Sequence, residues 1–238
     1  MPLVIGLTGS IASGKSTVAR TMVEMGAVHC DADPLVHRMY DPGKPAFDRI
    51  VAIFGEDIVG PDGYIDRRKL GAKTFGKPEE MGKLTRAIGN IGAEVKGVID
   101  RWRQELPEDA VAVMEAVNLI EAGYSAWCEC TWLVTTQREK AIERVMARNQ
   151  FTIEEATQRV DGQRPWELRA PASDHIFHND GSLEELIEEV RRVYKETYDL
   201  YRAGKLPPRK YDAWNEQRMA QMRAQGAAPG QGRPQGQG

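Results

Sequence analysis

Eight residues near the start of the chain, Gly9-Ser10-Ile11-Ala12-Ser13-Gly14-Lys15-Ser16, fit the spacing G-x-x-x-x-G-K-S without a mismatch. Glycines at both ends let the backbone turn tightly enough for successive N–H groups to point inward at an anion. A helix that starts inside the motif adds the positive end of its dipole. Such a concavity suits a phosphate chain, with Lys15 reaching the β- and γ-phosphates and the Ser16 hydroxyl set to bind Mg²⁺. The motif points to a nucleoside triphosphate, and Gly9, Ala12, Ser13, Gly14, Lys15, Ser16 and Thr17 are its expected binding residues.

Other side chains decide what is done with that phosphate. Asp31 and Asp33 are two residues apart in "HCDADP". On the extended strand that closes on both they share one face, and at the carboxyl end of a parallel sheet that face opens on the ligand crevice. One carboxylate then accepts the proton of an attacking hydroxyl. The competing reading is that Asp31 or Asp33 caps the helix beginning at Pro34. Glu115, closing "VAVME", holds the place of an acid that organises Mg²⁺. Glu121 reads either as a site residue or as a helix-start acid. Arg138, Arg144 and Arg148 lie on one helical stretch, with Arg144 and Arg148 a turn apart on a shared face. They suit a lid that closes over a transferring phosphoryl group; the alternative is a solvated face paired with Glu139 and Glu143.

The elements that must hold these residues alternate. "PLVIGL" reads as a strand running into the glycine loop, and "KSTVARTMVEMG" as a helix stopped by Gly26. "AVHCDAD", "DAVAVMEAV", "CTWLVTT" and "DHIFHNDG" supply four more strands. Residues 34–104 read as mainly helical, broken by turn signals at "DPGKP", "GPDG" and "GKPEE". Residues 137–149 read as a charged helix. Thr152 with Glu155, and Ser182 with Glu185, have the spacing of capping boxes for two further helices. Alternating strands and helices predict an α/β fold with a parallel sheet covered on both faces.

The chain has 238 residues, 41% of them hydrophobic, enough for a sizeable core. Its formal charge of −3 divides into +5 over residues 202–238 and −8 before them. In the acidic body the cations alternate with Asp and Glu instead of forming a basic stripe, which argues against nucleic acid as a partner. The sequence has no apolar run of membrane-spanning length and no secretory leader pattern. Cys30, Cys128 and Cys130 cannot all pair; Cys128 and Cys130 read as buried thiols of a cytoplasmic protein. "AQGAAPGQGRPQGQG" has the composition of a disordered tail.

Taken together, "GLTGSIASGKSTVA", "DAD" at 31–33, "DGYIDRRKL" at 62–70, "LIE" at 119–121, Arg144 with Arg148, Gln163, and "SDHIFHNDG" at 173–181 resemble the dephospho-CoA kinase family, P-loop kinases related to the nucleoside monophosphate kinases. The resemblance covers about residues 3–201. It implies a three-layer P-loop kinase fold with a five-stranded parallel sheet, a helical substrate-side insertion and a lid. It also implies transfer of the ATP γ-phosphate, with Mg²⁺, to the ribose 3′-hydroxyl of dephospho-CoA. By matching position, Lys15, Asp33 and Arg144 would be catalytic, with Asp33 the base. Arg148 and Asn179 would join the loop in holding ATP, and Asp33, Arg67, Arg68 and Glu121 would hold the acceptor. Ser16 and Glu115 would serve the metal. The expected division is a kinase domain at 1–205, with the insertion at about 60–105 and the lid at about 138–165, then a basic Gly/Pro/Gln-rich tail at 206–238. In two places the sequence departs from the family: Gly89-Asn90 stands where a His-Pro pair is usual, and Val117-Asn118-Leu119 where Pro-Leu-Leu is usual.

Overall fold

In the computed structural model, which describes residues 1–224, the first strand shows why this sheet is parallel and central. All seven residues of β1 (Leu3–Gly9) are buried, so the strand reads as an unbroken apolar run with no solvent face. The chain then enters α1 (Lys15–Glu24), and β2 (Val28–Asp31) follows. The helices α2 (Ala32–Arg38), α3 (Pro45–Phe54), α4 (Arg67–Thr74), α5 (Pro78–Ile88) and α6 (Ile91–Glu105) come next. After them the pattern returns to strands: β3 (Val111–Glu115) and β4 (Cys130–Thr135), then α7 (Arg138–Asn149) and α8 (Ile153–Asp161), then β5 (His175–His178) and α9 (Leu183–Arg202). A final helix, α10, spans Lys210–Ala224. The strand order is β2-β3-β1-β4-β5, with β1 parallel to both neighbours; Leu3 stands opposite Val111, and Ile5 opposite Cys130. This is the expected five-stranded α/β architecture.

Two compact units make up the chain. Among the described residues, one comprises Met1–His29 and 107–224; the other is Cys30–Leu106. In the first, Leu3, Ile5, Leu7, Val18, Met22, Trp132, Phe177 and Val190 form one core between the sheet, α1 and α9. Trp132 meets Phe177 edge to face at 5.5 Å. Each fully buried side chain of this kind contributes about 1.5–3 kcal/mol of burial free energy, which gives the loop at the end of β1 a rigid base. Both predicted capping boxes form, Thr152 with Glu155 on α8 and Ser182 with Glu185 on α9.

The second unit has its own core, built from Tyr40, Ile50, Phe54, Ile58, Ile65, Leu70 and Ile88. "GPDGYID" forms a turn that Gly60 N closes by donating to Tyr64 O at 2.8 Å, and Val59 bridges to Ile65. Asp66 then caps α4 by accepting from the amides of Arg68 and Lys69. The unit is longer than the insertion expected at 60–105, because the chain is helical from Ala32 onward.

Two expectations are corrected here. The shared strand face expected of Asp31 and Asp33 does not exist: β2 ends at Asp31, which caps α2 by accepting from Asp33 N at 2.9 Å, and Asp33 lies in the first helical turn. The expected tail from 206 is helical over Lys210–Ala224. Arg209 donates to Ala126 O and Cys128 O, Lys210 N donates to Asp174 Oδ1, and Tyr211 is buried against Ile120 and Ala172. The apolar surface that holds this helix comes from Tyr211 and Trp214, not from a periodic stripe. The remainder of the expected tail, 225–238, lies outside the described residues.

Candidate active site

The loop between β1 and α1 takes its shape from places where only glycine fits. A Cβ on Gly9 would meet Val134 O at 2.6 Å. Gly14 has φ +97°, and a Cβ there would collide with the Asn179 amide nitrogen. Ala12, also left-handed at φ +56°, adopts a conformation that an alanine keeps only where its surroundings impose it. α1 starts at Lys15 with no acidic residue in its first turn, so the positive end of its dipole remains available to an anion.

Lys15 Nζ donates to Glu115 Oε1, and His29 Nε2 lies 2.8 Å from Glu115 Oε2. Glu115 is only 4% exposed. Burial pushes its carboxyl pKa up, but the His29 hydrogen bond and the charge and hydrogen bond of Lys15 outweigh that and leave it below the ordinary carboxylate value. The carboxylate is therefore anionic at neutral pH and serves as counterion to Lys15. The expected metal acid thus has both oxygens engaged by basic groups. Ser16, exposed on the first turn of α1, offers a hard hydroxyl oxygen suited to Mg²⁺, whose other ligands in such sites are phosphate and water oxygens. Sequence reasoning missed His29. Its place inside the second strand, two residues before Asp31, was the available signal.

Arg144 reaches across to the loop. It donates to Asn179 O at 3.1 Å and, at longer range, to Ala12 O at 3.3 Å. Asn179 Nδ2 in turn donates to Ser13 O at 2.8 Å, so both residues grip the loop backbone. Arg148 is exposed, and its Nε donates to Asn149 Oδ1, so here it does not join Arg144 on the loop. Arg138 makes a two-point bond with Asp161 at 2.6 and 2.7 Å, tying the start of α7 to the end of α8. Beside the loop, Ser10, Thr136, Trp166 and His178 help to line a cavity of about 500 Å³. Glu121 accepts from Arg169 Nε at 2.7 Å; Arg169 is almost fully buried, a second partner the sequence did not reveal.

Within the helical unit, Asp33 and His37 lie one turn apart on α2. Arg67, at the start of α4, places Nη1 2.9 Å from His37 Nδ1. Burial and then the neighbouring Arg67 charge lower the His37 pKa, against the charges of Asp33, Asp31 and Asp41. A neutral His37 presents Nδ1 as acceptor to Arg67. Arg68 follows on the same capped turn, exposed.

A parallel sheet in this order, a Gly-Lys-Ser loop seated on it and an arginine from the following helices laid on that loop define a P-loop phosphotransferase. The comparisons narrow the class. The family model for dephospho-CoA kinase matches residues 3–185. The dephospho-CoA kinase of Geobacter sulfurreducens is 39% identical over 199 residues, 82% of this chain and 98% of that protein. That of Carboxydothermus hydrogenoformans is 35% identical over 192 residues, 80% of this chain and 92% of that one. The crystal structure of TT1252 from Thermus thermophilus has a TM-score of 0.66 at 30% identity, covering 82% of this chain and 97% of that one. The fold is shared with the dephospho-CoA kinase from Campylobacter jejuni, with a TM-score of 0.57 at 23% identity, covering 81% and 96%. The chain belongs to the dephospho-CoA kinase family, and it is an ATP-dependent kinase.

Proposed function

We propose that this kinase transfers the γ-phosphate of ATP to the ribose 3′-hydroxyl of dephospho-CoA, giving CoA and ADP in the cytoplasm. The observation that carries the reading is the loop at residues 9–17, fixed on the sheet with Lys15 held by Glu115 and Arg144 laid on its backbone. Loop amides and Lys15 bind the phosphates, and Lys15 exchanges its Glu115 partner for phosphate oxygens. Arg144 supplies positive charge where the transferring group becomes more anionic. Bound through Ser16 and the phosphates, Mg²⁺ would neutralise charge between the β- and γ-oxygens. Asp33, in the first turn of α2 beside the Asp31 cap, accepts the proton of the 3′-hydroxyl and orients that oxygen. Arg67, steadied by His37, and Arg68 bind acceptor phosphate, while Glu121, fixed by Arg169, shapes the acceptor side. Arg148 and Asn179 complete the donor site.

One observation favours a different nucleotide-like acceptor. Gly89 has φ +104°, and Asn90 caps α6 by accepting from Ala93 N at 3.0 Å, so the corner where the family has His-Pro is a capped turn here. Incubation with ATP, Mg²⁺ and dephospho-CoA, followed by mass spectrometry, distinguishes the two. Formation of CoA is expected; ATP binding without CoA would overturn the acceptor assignment.

No helix among the described residues is long and apolar enough to cross a membrane.

A further inference from the structure

Gln163, beyond the end of α8, accepts at Oε1 from the backbone N–H of Ile11 at 2.6 Å, a bond across 152 residues of sequence. It meets the loop where α7 and α8 also touch it. Ile142, Val145 and Ala156 form a buried apolar cluster on those helices, and Ile11 and Ala12 pack against it. Successive loop residues are thus held by separate attachments: Ile11 by Gln163 and the cluster, the Ala12 carbonyl by Arg144, and the Ser13 carbonyl by Asn179. Ala12, in the middle, is the residue with the enforced left-handed backbone.

We propose that Gln163 is a positioning residue that clamps the phosphate loop to the lid, fixing the Ile11 amide so that the loop meets the transferring phosphate in register with the lid arginine. The side chain binds the loop through a single acceptor oxygen, and the bonded amide belongs to a residue whose own side chain is already seated on the lid. Movement of α7 and α8 therefore reaches the loop through two attachments at one residue. Losing the polar one leaves the loop folded and able to take up nucleotide, but with poorer alignment for transfer, and a misplacement of about 1 Å can cost about 10²-fold in rate.

The test compares Gln163→Leu and Gln163→Glu in the full chain. Gln163→Leu removes the acceptor; Gln163→Glu keeps an acceptor oxygen at the same reach, although its charge raises KM for ATP. For Gln163→Leu, we expect kcat for CoA formation to fall by about tenfold or more while the Kd for ADP stays within about threefold. In the nucleotide-free protein, hydrogen exchange of the Ile11 amide should accelerate in Gln163→Leu and stay slow in Gln163→Glu, with α1 amides unchanged in both. Unchanged kcat in Gln163→Leu, unchanged Ile11 exchange, or a parallel loss of kcat, ADP affinity and melting temperature would each overturn the assignment. The rate arm rests on the phosphotransfer reading. Should the parent protein make no CoA, that reading fails, while Ile11 exchange still decides the clamp.

Discussion

The loop side and the helical unit hold their polar groups in place by different means. Around residues 9–17 the functional groups are cross-braced. Lys15 and His29 share buried Glu115, Asn179 and Arg144 hold loop carbonyls, and rigid strands lie beneath. In Cys30–Leu106 the groups proposed for the acceptor stand at helix starts with local supports: Asp33 behind the Asp31 cap, Arg67 beside His37, Arg68 on the Asp66 cap. A braced site is organised before its ligand arrives, whereas a capped helix start fixes the backbone and leaves the side chain adaptable. Phosphate geometry is common to all donors, while the acceptor is what distinguishes one kinase from another.

The largest loss is expected at Lys15. Lys15→Ala should lower kcat/KM by about 10³-fold and leave Glu115 and His29 as an uncompensated pair; steady-state kinetics in ATP measures it. Next in size is a change away from both regions. Tyr211→Ala on α10 should cost about 3 kcal/mol in urea unfolding, because it empties a site closed by Ile120 and Ala172. Asp33→Asn should lower kcat by about 10²-fold with ATP affinity unchanged within about twofold. If it weakens ATP as much as Lys15→Ala does, the two regions do not divide donor from acceptor.

The smallest effect concerns acid. The folded Glu115 pKa lies below its ordinary value of 4.5, so the stability this group contributes is complete above that value and is lost as pH falls through the lower folded one. Melting curves between about pH 3 and 6 should therefore show an acid limb that Glu115→Gln flattens.

Much of this organisation was legible because it is local. The phosphate loop, both capping boxes and the helical run after residue 34 depend on residues within a few positions of one another. What escaped depends on long separations or on competition between neighbours. His29 meets Glu115 across 86 residues, Arg169 meets Glu121 across 48, and no spacing rule links either pair. Asp31 and Asp33 look alike in the sequence, but the strand ends at Asp31, which takes the cap, and Asp33 falls in the first helical turn. α10 was read as tail because its anchoring aromatic residues, Tyr211 and Trp214, do not repeat.

The most direct measurement is a crystal structure with Mg²⁺, a non-hydrolysable ATP analogue and dephospho-CoA. Lys15 Nζ should lie on the β- and γ-phosphate oxygens, and the Asp33 carboxylate within hydrogen-bond reach of the ribose 3′-oxygen, about 2.6–3.2 Å. An Asp33 carboxylate far from that oxygen, or a triphosphate bound away from residues 9–17, would contradict this arrangement.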